Sequence, residues 1–499
     1  MSQPVVLCVR RNGAPLAAAL ALLLFLPLGL AQDGPAGGGE LAARLEAIEA
    51  TGARVGVLAV SLEDGKVVYQ HRADELFIPA SIIKLLVATS ALVNLKPDYR
   101  FPLEALAATD PVQGVLAGDL ILRGHGDPAL SAEEIRRLAR EVRGRGVQRV
   151  AGGVIADDSL LDPRGGRFAE LGGLSVSGGA VAVEVRPGKA VGRPAVIVPG
   201  EGAGSLSVLN LTTTAARSRS TLRARVRGSR IEVSGRQPLR ARPVVLRARL
   251  ENPSLHAALL FADALRQAGV AVQGGASVGR APAGARQVAH ADGSSLASVL
   301  AHMLEHSDNL YAEQLLLVLG AAIDPPGTSA KGIAAVCRTM EGMGLSLSGM
   351  TVVDACGLSK SNRLHPRFLV DLLTRSWQRP EIRSVLLAGL PDAGATGTLR
   401  KRYRHANLAG DVRAKTGWLW GVGTLAGYYW TSDNKPYVFA VLLNERPGRG
   451  YRAVAETVDG IVLDLMTRSS GSEAAPLADS HPPVEQASRS HRASSRASD

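Results

Sequence analysis

Residues 77–95 read FIPASIIKLLVATSALVNL. Pro79 turns the chain, and an apolar run long enough for a helix follows. Ser81 and Lys84 are three residues apart, so a helix puts them on one face, with the ammonium beneath the hydroxyl. A serine hydroxyl is a poor nucleophile at neutral pH. A lysine kept neutral by burial or by a second cation can take its proton. A helix N-terminus also favours negative charge developing at Ser81. Ser-x-x-Lys is nonetheless common by chance, and Ser81 by itself reads first as an ordinary N-cap. Ile82 and Ile83 read as core.

On the N-terminal side, residues 41–50 have helical periodicity. Residues 53–75 read as two strands joined by a turn at Glu63-Asp64-Gly65. On the C-terminal side, residues ~100 to ~290 are short Val/Leu runs broken by Gly and Pro, which predicts strands and turns. Residues 254–269 read as helix. Residues 296–320 read as a second helical region interrupted near Ser307, residues 367–376 as another helix, and residues 409–444 as two or three antiparallel strands.

Two further motifs fall within these elements. Ser307-Asp308-Asn309 places a hydroxyl and an amide two residues apart in a loop, though it also reads as a helix cap. Lys415-Thr416-Gly417 falls on a strand, with Lys415 and Gly417 on one face and Thr416 on the other. A glycine there lets a ligand backbone approach closely. Each motif is weak alone. In this order and in these contexts they form the signature of penicillin-recognising serine enzymes.

The chain, over about residues 41–467, resembles the D-Ala-D-Ala carboxypeptidase/endopeptidase branch of the penicillin-binding proteins, the low-molecular-mass type with inserted domains. Stretches such as Gly124-His125-Gly126-Asp127-Pro128, Glu251-Asn252-Pro253, Gly357-Leu358-Ser359 and Gly397-Thr398-Leu399 carry the likeness beyond the three motifs. They read as turns, caps and core. Ser81 and Ser307 are 226 residues apart (307 − 81), and Ser307 and Lys415 are 108 apart (415 − 307). The long first gap is where this branch carries its insertion.

The resemblance implies an α/β (α+β) core like that of serine β-lactamases and DD-peptidases, an antiparallel sheet flanked by helices. The core is split by two inserted β-rich domains. It spans residues 41–97 and 291–467, the first insert 98–165 and 250–290, and the second 166–249. The resemblance also implies roles. Ser81 attacks a D-alanyl carbonyl and Lys84 is the general base. Ser307, helped by Lys415, relays a proton to the leaving amine. Asn309 binds the substrate amide, and Lys415, Thr416 and Gly417 frame the terminal carboxylate. The backbone N–H groups of Ser81 and Trp418 form an oxyanion hole. No metal or organic cofactor is needed, and His125 and His306 are not arranged as ligands.

The N-terminus sets the expected compartment. Arg10 and Arg11 precede an apolar run, Ala14 to Leu30, and Gly29-Leu30-Ala31 offers small residues for cleavage. Residues 1–31 therefore read as a secretory signal peptide rather than an anchor. The expected location is across the inner membrane, in the periplasm or facing the wall, with at most peripheral membrane association. Cleavage removes Cys8 and leaves Cys337 and Cys356, which an oxidising compartment would allow to pair. Residues 470–499 are Ser, Ala, Pro and Arg without periodicity and read as a disordered tail.

The net charge is +12 over 499 residues, carried by 48 Arg and 9 Lys against 45 acids. Such an Arg bias does not by itself indicate nucleic acid, and none is expected as a partner. The expected partners are peptidoglycan stem peptides and, as inhibitors, β-lactam antibiotics. Eleven Arg crowd residues 217–249 against the single acid Glu232. Their alternation with apolar residues predicts a cationic strand face, either docking on an anionic polymer or simply solvated.

Two positions depart from the branch. Trp418 stands where a small hydroxyl residue is usual, so a donor beside the substrate carboxylate is lost. Trp418 and Trp420 then either wall the cleft or pack into the interior. Cys356 stands where Ser is usual, which makes it a reactive-thiol candidate if it is exposed near the cleft. A serine β-lactamase would share all three motifs, but no Glu-x-x-Leu-Asn stretch is present to direct its hydrolytic water. A non-catalytic wall-binding homologue is the third reading, against which the intact motifs speak.

Overall fold

The computed structural model describes residues 39–470, except 169, 201, 204, 205, 218, 404–410, 446, 447 and 449. The expected signal peptide and tail lie outside them, Ser470 excepted. The core is a five-stranded antiparallel sheet in the order Val412–Leu419, Val422–Trp430, Pro436–Asn444, Arg54–Ser61, Val67–His71. The N-terminal strand thus pairs with the last one, Val57 opposite Val441.

Both faces of this sheet are buried, which explains its nearly continuous apolar sequence. Val55, Val57, Phe439, Val441 and Leu443 point to one face, where helices Glu40–Glu49 and Tyr451–Ser469 pack. Leu58, Val438, Ala440 and Leu442 point to the other, against helices Lys84–Leu95, Leu296–His306, Asn309–Ile323, Ser329–Gly342 and Pro366–Trp377. The two-residue alternation assigns each side chain to its core.

After Leu95 the chain leaves this body, and it rejoins it at helix Leu296–His306. In between, a second five-stranded sheet runs in the order Ala276–Val278, Val154–Asp157, Leu120–Gly124, Arg100–Ala107, Arg286–Ser295. It is not simply β-rich. Helices Ala132–Gly144 and Pro253–Gln267 pack with it into one apolar core. The first of these was not anticipated among the strands and turns, although a full capping box, Ser131 with Glu134, marks its start.

Farther out, two three-stranded sheets share a small core of Val183, Val185, Ile231 and Val233. The Arg-rich strand Arg223–Arg227 lies at the edge of one of them. Arg223, Arg225 and Arg227 are exposed and Val226 is buried. Among the described residues, no helix is long and apolar enough to cross a membrane.

Candidate active site

Three remote segments meet at Ser81. The sequence predicts Ser81 at the α-helix N-terminus, but the α-helix begins at Lys84. Ser81 lies in the 3₁₀ turn Ala80–Ile83 just before it. A 3₁₀ turn eclipses side chains at i and i+3, and Lys84 Nζ accordingly lies 3.0 Å from Ser81 Oγ. Ala80 has φ +48°, a left-handed conformation costly for alanine. Neighbours hold it there. Thr424 Oγ1 donates to the Pro79 carbonyl at 2.8 Å. Gly357 lies so close that a Cβ there would be 2.0 Å from the Ala80 oxygen.

Lys84 is fully buried. Its Nζ donates to Ser81 Oγ at 3.0 Å, Asn309 Oδ1 at 2.8 Å and the Cys356 carbonyl at 2.7 Å. An ammonium has three N–H donors, and these contacts use all of them. Ser81 Oγ itself donates to the same Cys356 carbonyl at 3.0 Å. Burial brings Lys84 down to about 8, against the opposing fields of Cys356, Asp354, Glu313 and Asp308. Lys415 is also fully buried, and burial, reinforced by the charge of Lys84, holds it well below the usual lysine range. Its Nζ donates to the Thr416 carbonyl at 2.8 Å.

Ser307 ends helix Leu296–His306 in the left-handed conformation (φ +57°, ψ +36°). Asp308 then caps helix Asn309–Ile323 by accepting from Leu310 N and Tyr311 N. This sharp break is the predicted interruption, and it sends Ser307 to the cleft and Asn309 to Lys84.

Strand Val412–Leu419 is the sheet edge beside Ser81. Asp392 bridges Arg413 on its outer side, while Thr416, Gly417 and Trp418 line the cleft with Ser81 and Ser307. Gly417 is required by close approach. A Cβ there would lie 2.9 Å from Ser81 N and from Pro79 O, and 2.2 Å from Thr424 Oγ1. Thr416 Oγ1 donates to Thr398 Oγ1 at 2.8 Å. Trp418 is 42% exposed and packs edge-on against Tyr451, with ring centroids 5.8 Å apart; Trp420 is 51% exposed. Neither Trp points into the interior, and Trp418 walls the cleft.

Thr398, Glu313 and Asp354 carried no assigned chemistry in the sequence, and Cys356 was marked there only for its thiol. Thr398 reaches the cleft from the Gly397-Thr398-Leu399 stretch. Cys356 contributes its carbonyl rather than its thiol. Glu313 accepts from Ala355 N and Cys356 N, both at 2.9 Å. Asp354 accepts from Gly357 N, Ser359 N, Asn362 Nδ2 and Arg167 Nη2. Together Glu313 and Asp354 fix the loop whose carbonyl holds Ser81 and Lys84. The Glu313, Asp354 and Cys356 ligand atoms lie within 4.8 Å of one another, but the carboxylates are engaged with backbone N–H groups. Cys356 is a free, fully buried thiol, so the allowed pairing with Cys337 does not form. Burial and the two carboxylates push that thiol far above the ordinary range, so it is not an exposed reactive group.

The fold is that of penicillin binding protein 4 from Haemophilus influenzae. The TM-score is 0.72 at 21% identity, covering 85% of this chain and 98% of that one. Among curated proteins, a D-alanyl-D-alanine carboxypeptidase of Actinomadura is 32% identical over 487 residues, 90% of each chain. A Mycobacterium tuberculosis carboxypeptidase is 28% identical over 417 residues, 82% of this chain and 80% of its own. Residues 38–462 match the model of one peptidase family, and that span contains all three motifs gathered around Ser81. The chain belongs to the D-Ala-D-Ala carboxypeptidase 3 (S13) family.

Proposed function

We propose that this chain is an exported serine peptidase that cleaves the bond after D-alanine in peptidoglycan stem peptides, and that β-lactams acylate the same serine. The observation that carries the reading is Ser81 Oγ, 3.0 Å from a buried lysine of lowered pKa and beside a sheet edge. Its likeness to an Actinomadura D-alanyl-D-alanine carboxypeptidase over nine-tenths of the chain supports it.

The geometry accounts for the proton. Protonated Lys84 uses three N–H groups on three acceptors. Once neutral, it keeps two for Asn309 Oδ1 and the Cys356 carbonyl, and its lone pair faces Ser81 Oγ. The Ser81 hydroxyl then turns from the Cys356 carbonyl to Lys84. The substrate lies along strand Val412–Leu419 as an added strand. Ser81 Oγ bonds to the D-alanyl carbonyl carbon as its proton passes to Lys84. The carbonyl oxygen becomes an anion facing the N–H groups of Ser81 and Trp418, worth about 3–4 kcal/mol per donor. The C–N bond breaks as Lys84 returns that proton, through Ser307 beside Lys415, to the leaving amine. Water, giving a proton to the again-neutral Lys84, then attacks the ester, and that proton goes back to Ser81 Oγ as the D-alanyl acid leaves. Thr416 with Thr398 holds the leaving carboxylate, and Asn309 serves both the substrate amide and Lys84. Residues 1–31 act as the export signal, which places the protein in the periplasm or at the wall.

The test is labelling of the purified protein with a fluorescent penicillin beside Ser81→Ala, followed by D-Ala release from a pentapeptide. A lasting label lost in Ser81→Ala, with D-Ala released, is the expected result. Rapid β-lactam hydrolysis without a lasting label would make the protein a β-lactamase. No label with intact β-lactam would make it a non-catalytic wall binder.

A further inference from the structure

The cleft runs along strand Val412–Leu419, and one end of it is lined with rings. That strand and Val422–Trp430 form a hairpin, Leu419 opposite Val422, closed by the two-residue turn Trp420-Gly421 with Gly421 at φ +79°. Trp418 is 42% exposed, Trp420 51%, and Tyr451, which opens helix Tyr451–Ser469, 46%. Among the described residues these are the only exposed Phe, Trp or Tyr side chains. Others, such as Tyr428, Tyr429 and Phe439, are fully buried. Aromatics make up only 4% of the chain, so three exposed rings in one place are not the scatter of single apolar side chains that every surface carries. A cluster of exposed apolar side chains marks a contact site.

The character of the rim narrows the ligand. Trp418 and Tyr451 line the cleft itself and meet edge-on. The charges beside Tyr451 are already paired, Arg452 Nε with Glu456 at 2.7 Å and Arg402 with Asp459. The rim therefore offers ring faces rather than free charge, which suits a neutral ligand.

The direction of the substrate says which part of it arrives here. In the proposed reaction the leaving carboxylate is at Thr416 and the reacting carbonyl at the N–H of Trp418. The acyl half of the stem therefore continues past Trp418 toward the hairpin turn, and the leaving half lies at the opposite end. In a pentapeptide stem three residues separate the reacting D-alanine from the sugar, about 10 Å of extended chain. Trp420 stands two residues beyond Trp418, about 7 Å along the strand, which puts the sugar at the end of the hairpin.

We propose that Trp418, Trp420 and Tyr451 form a saccharide subsite, on which the pyranose rings of the wall glycan stack while the stem attached to them is cut. The apolar face of a pyranose is a row of C–H groups, slightly positive, and the face of an aromatic ring is negative. The chain thereby reads the polymer and not only the peptide. The inference rests on the proposed function, because the direction of the stem comes from the acyl-enzyme on Ser81.

The experiment compares two substrates within each variant, a free stem pentapeptide and the same pentapeptide on its N-acetylglucosaminyl-N-acetylmuramyl disaccharide. Wild type, Trp420→Ala, Trp420→Ala/Tyr451→Ala and the ring-keeping Trp420→Phe are assayed by D-Ala release, with active sites counted by fluorescent penicillin. The wild type should prefer the disaccharide substrate about tenfold in kcat/KM, the scale of two aromatic contacts. That preference should fall about threefold in Trp420→Ala, the scale of one contact. It should vanish in the double variant and persist in Trp420→Phe. A wild type without preference, or a preference that survives both alanine variants, overturns the saccharide subsite. Equal losses on the two substrates would assign the rim to the peptide and overturn it as well. A wild type that takes no penicillin label and releases no D-Ala from either substrate overturns the proposed function instead.

Discussion

The acylation rate of Ser81 should be set by the proton on Lys84, and its pH dependence follows from the site. Burial brings this lysine down to about 8, and only its neutral form has a lone pair for the Ser81 proton. The sign is therefore fixed: the neutral fraction rises with pH, so the rate climbs through pH 8 and flattens above it. At pH 7 about one site in eleven is neutral, which puts the rate about tenfold below the plateau; at pH 6 the deficit is about a hundredfold. The assay is stopped-flow acylation by a fluorescent penicillin under pseudo-first-order conditions from pH 6 to pH 9.5. The β-lactam carboxylate stays ionised across that range, since carboxyls titrate near pH 3–4, so the ligand adds no slope. A rate that is flat between pH 6 and pH 9, or that falls as pH rises, would refute Lys84 as the base. Lys84→Arg should abolish acylation at every pH, because a guanidinium stays charged.

The other predictions concern the scaffold around that proton. Gly417→Ala places a methyl against Ser81 N, Pro79 O and Thr424 Oγ1. It should cut acylation by at least about a hundredfold through displacement of the strand and its oxyanion donor, as measured by penicillin labelling; near-normal labelling would show that the strand stands farther off. Glu313→Ala strands two buried N–H groups, those of Ala355 and Cys356. At about 1–3 kcal/mol each, the loss of stability should be about 2–6 kcal/mol in urea unfolding, and a loss under about 1 kcal/mol would contradict the clamp. Trp418→Thr restores a hydroxyl beside the leaving carboxylate, worth about 1.5 kcal/mol or more to a charged acceptor. It should raise pentapeptide kcat/KM about tenfold, and a drop would show that the aromatic wall matters more. Cys356 should resist iodoacetamide in the native protein and label fully in denaturant, as read by peptide mass spectrometry, given its burial and raised pKa.

Much of the frame was legible because its signals are local. The helix at 41–50, the strand pair around Gly65, the break at Ser307 and the strands of 409–444 appear as Glu40–Glu49, Arg54–His71, the left-handed Ser307 and Val412–Asn444. Each is marked by periodicity or by turn residues. The 3₁₀ turn at Ser81 was not legible, because its cause is remote: Gly357 and Thr424 press Ala80 into a conformation that no neighbour in sequence demands. Helix Ala132–Gly144 was legible in principle from its capping box and passed over among short Val/Leu runs. The fate of Trp418 also had to await the fold, since its exposure depends on Tyr451, 33 residues away (451 − 418).

The site residues that sequence could name are those whose side chains form the three motifs. The group that both Ser81 and Lys84 hydrogen-bond is a backbone carbonyl, and any residue supplies one. The Cys356 oxygen takes a hydrogen bond from Lys84 and one from Ser81, so it holds both side chains to a single backbone atom. The Cys356 thiol lies beside the Glu313 and Asp354 carboxylates, buried and held protonated, so it is the carbonyl of this residue that meets Ser81 and Lys84. Glu313 and Asp354 together accept five backbone N–H or amide contacts from residues 355–362, which a loop could not otherwise satisfy in the interior. Their charge also moderates the fall in the Lys84 pKa. Without those acids, burial alone would take Lys84 lower still, giving a base more often neutral but weaker toward the serine proton. With them it is brought down only to about 8.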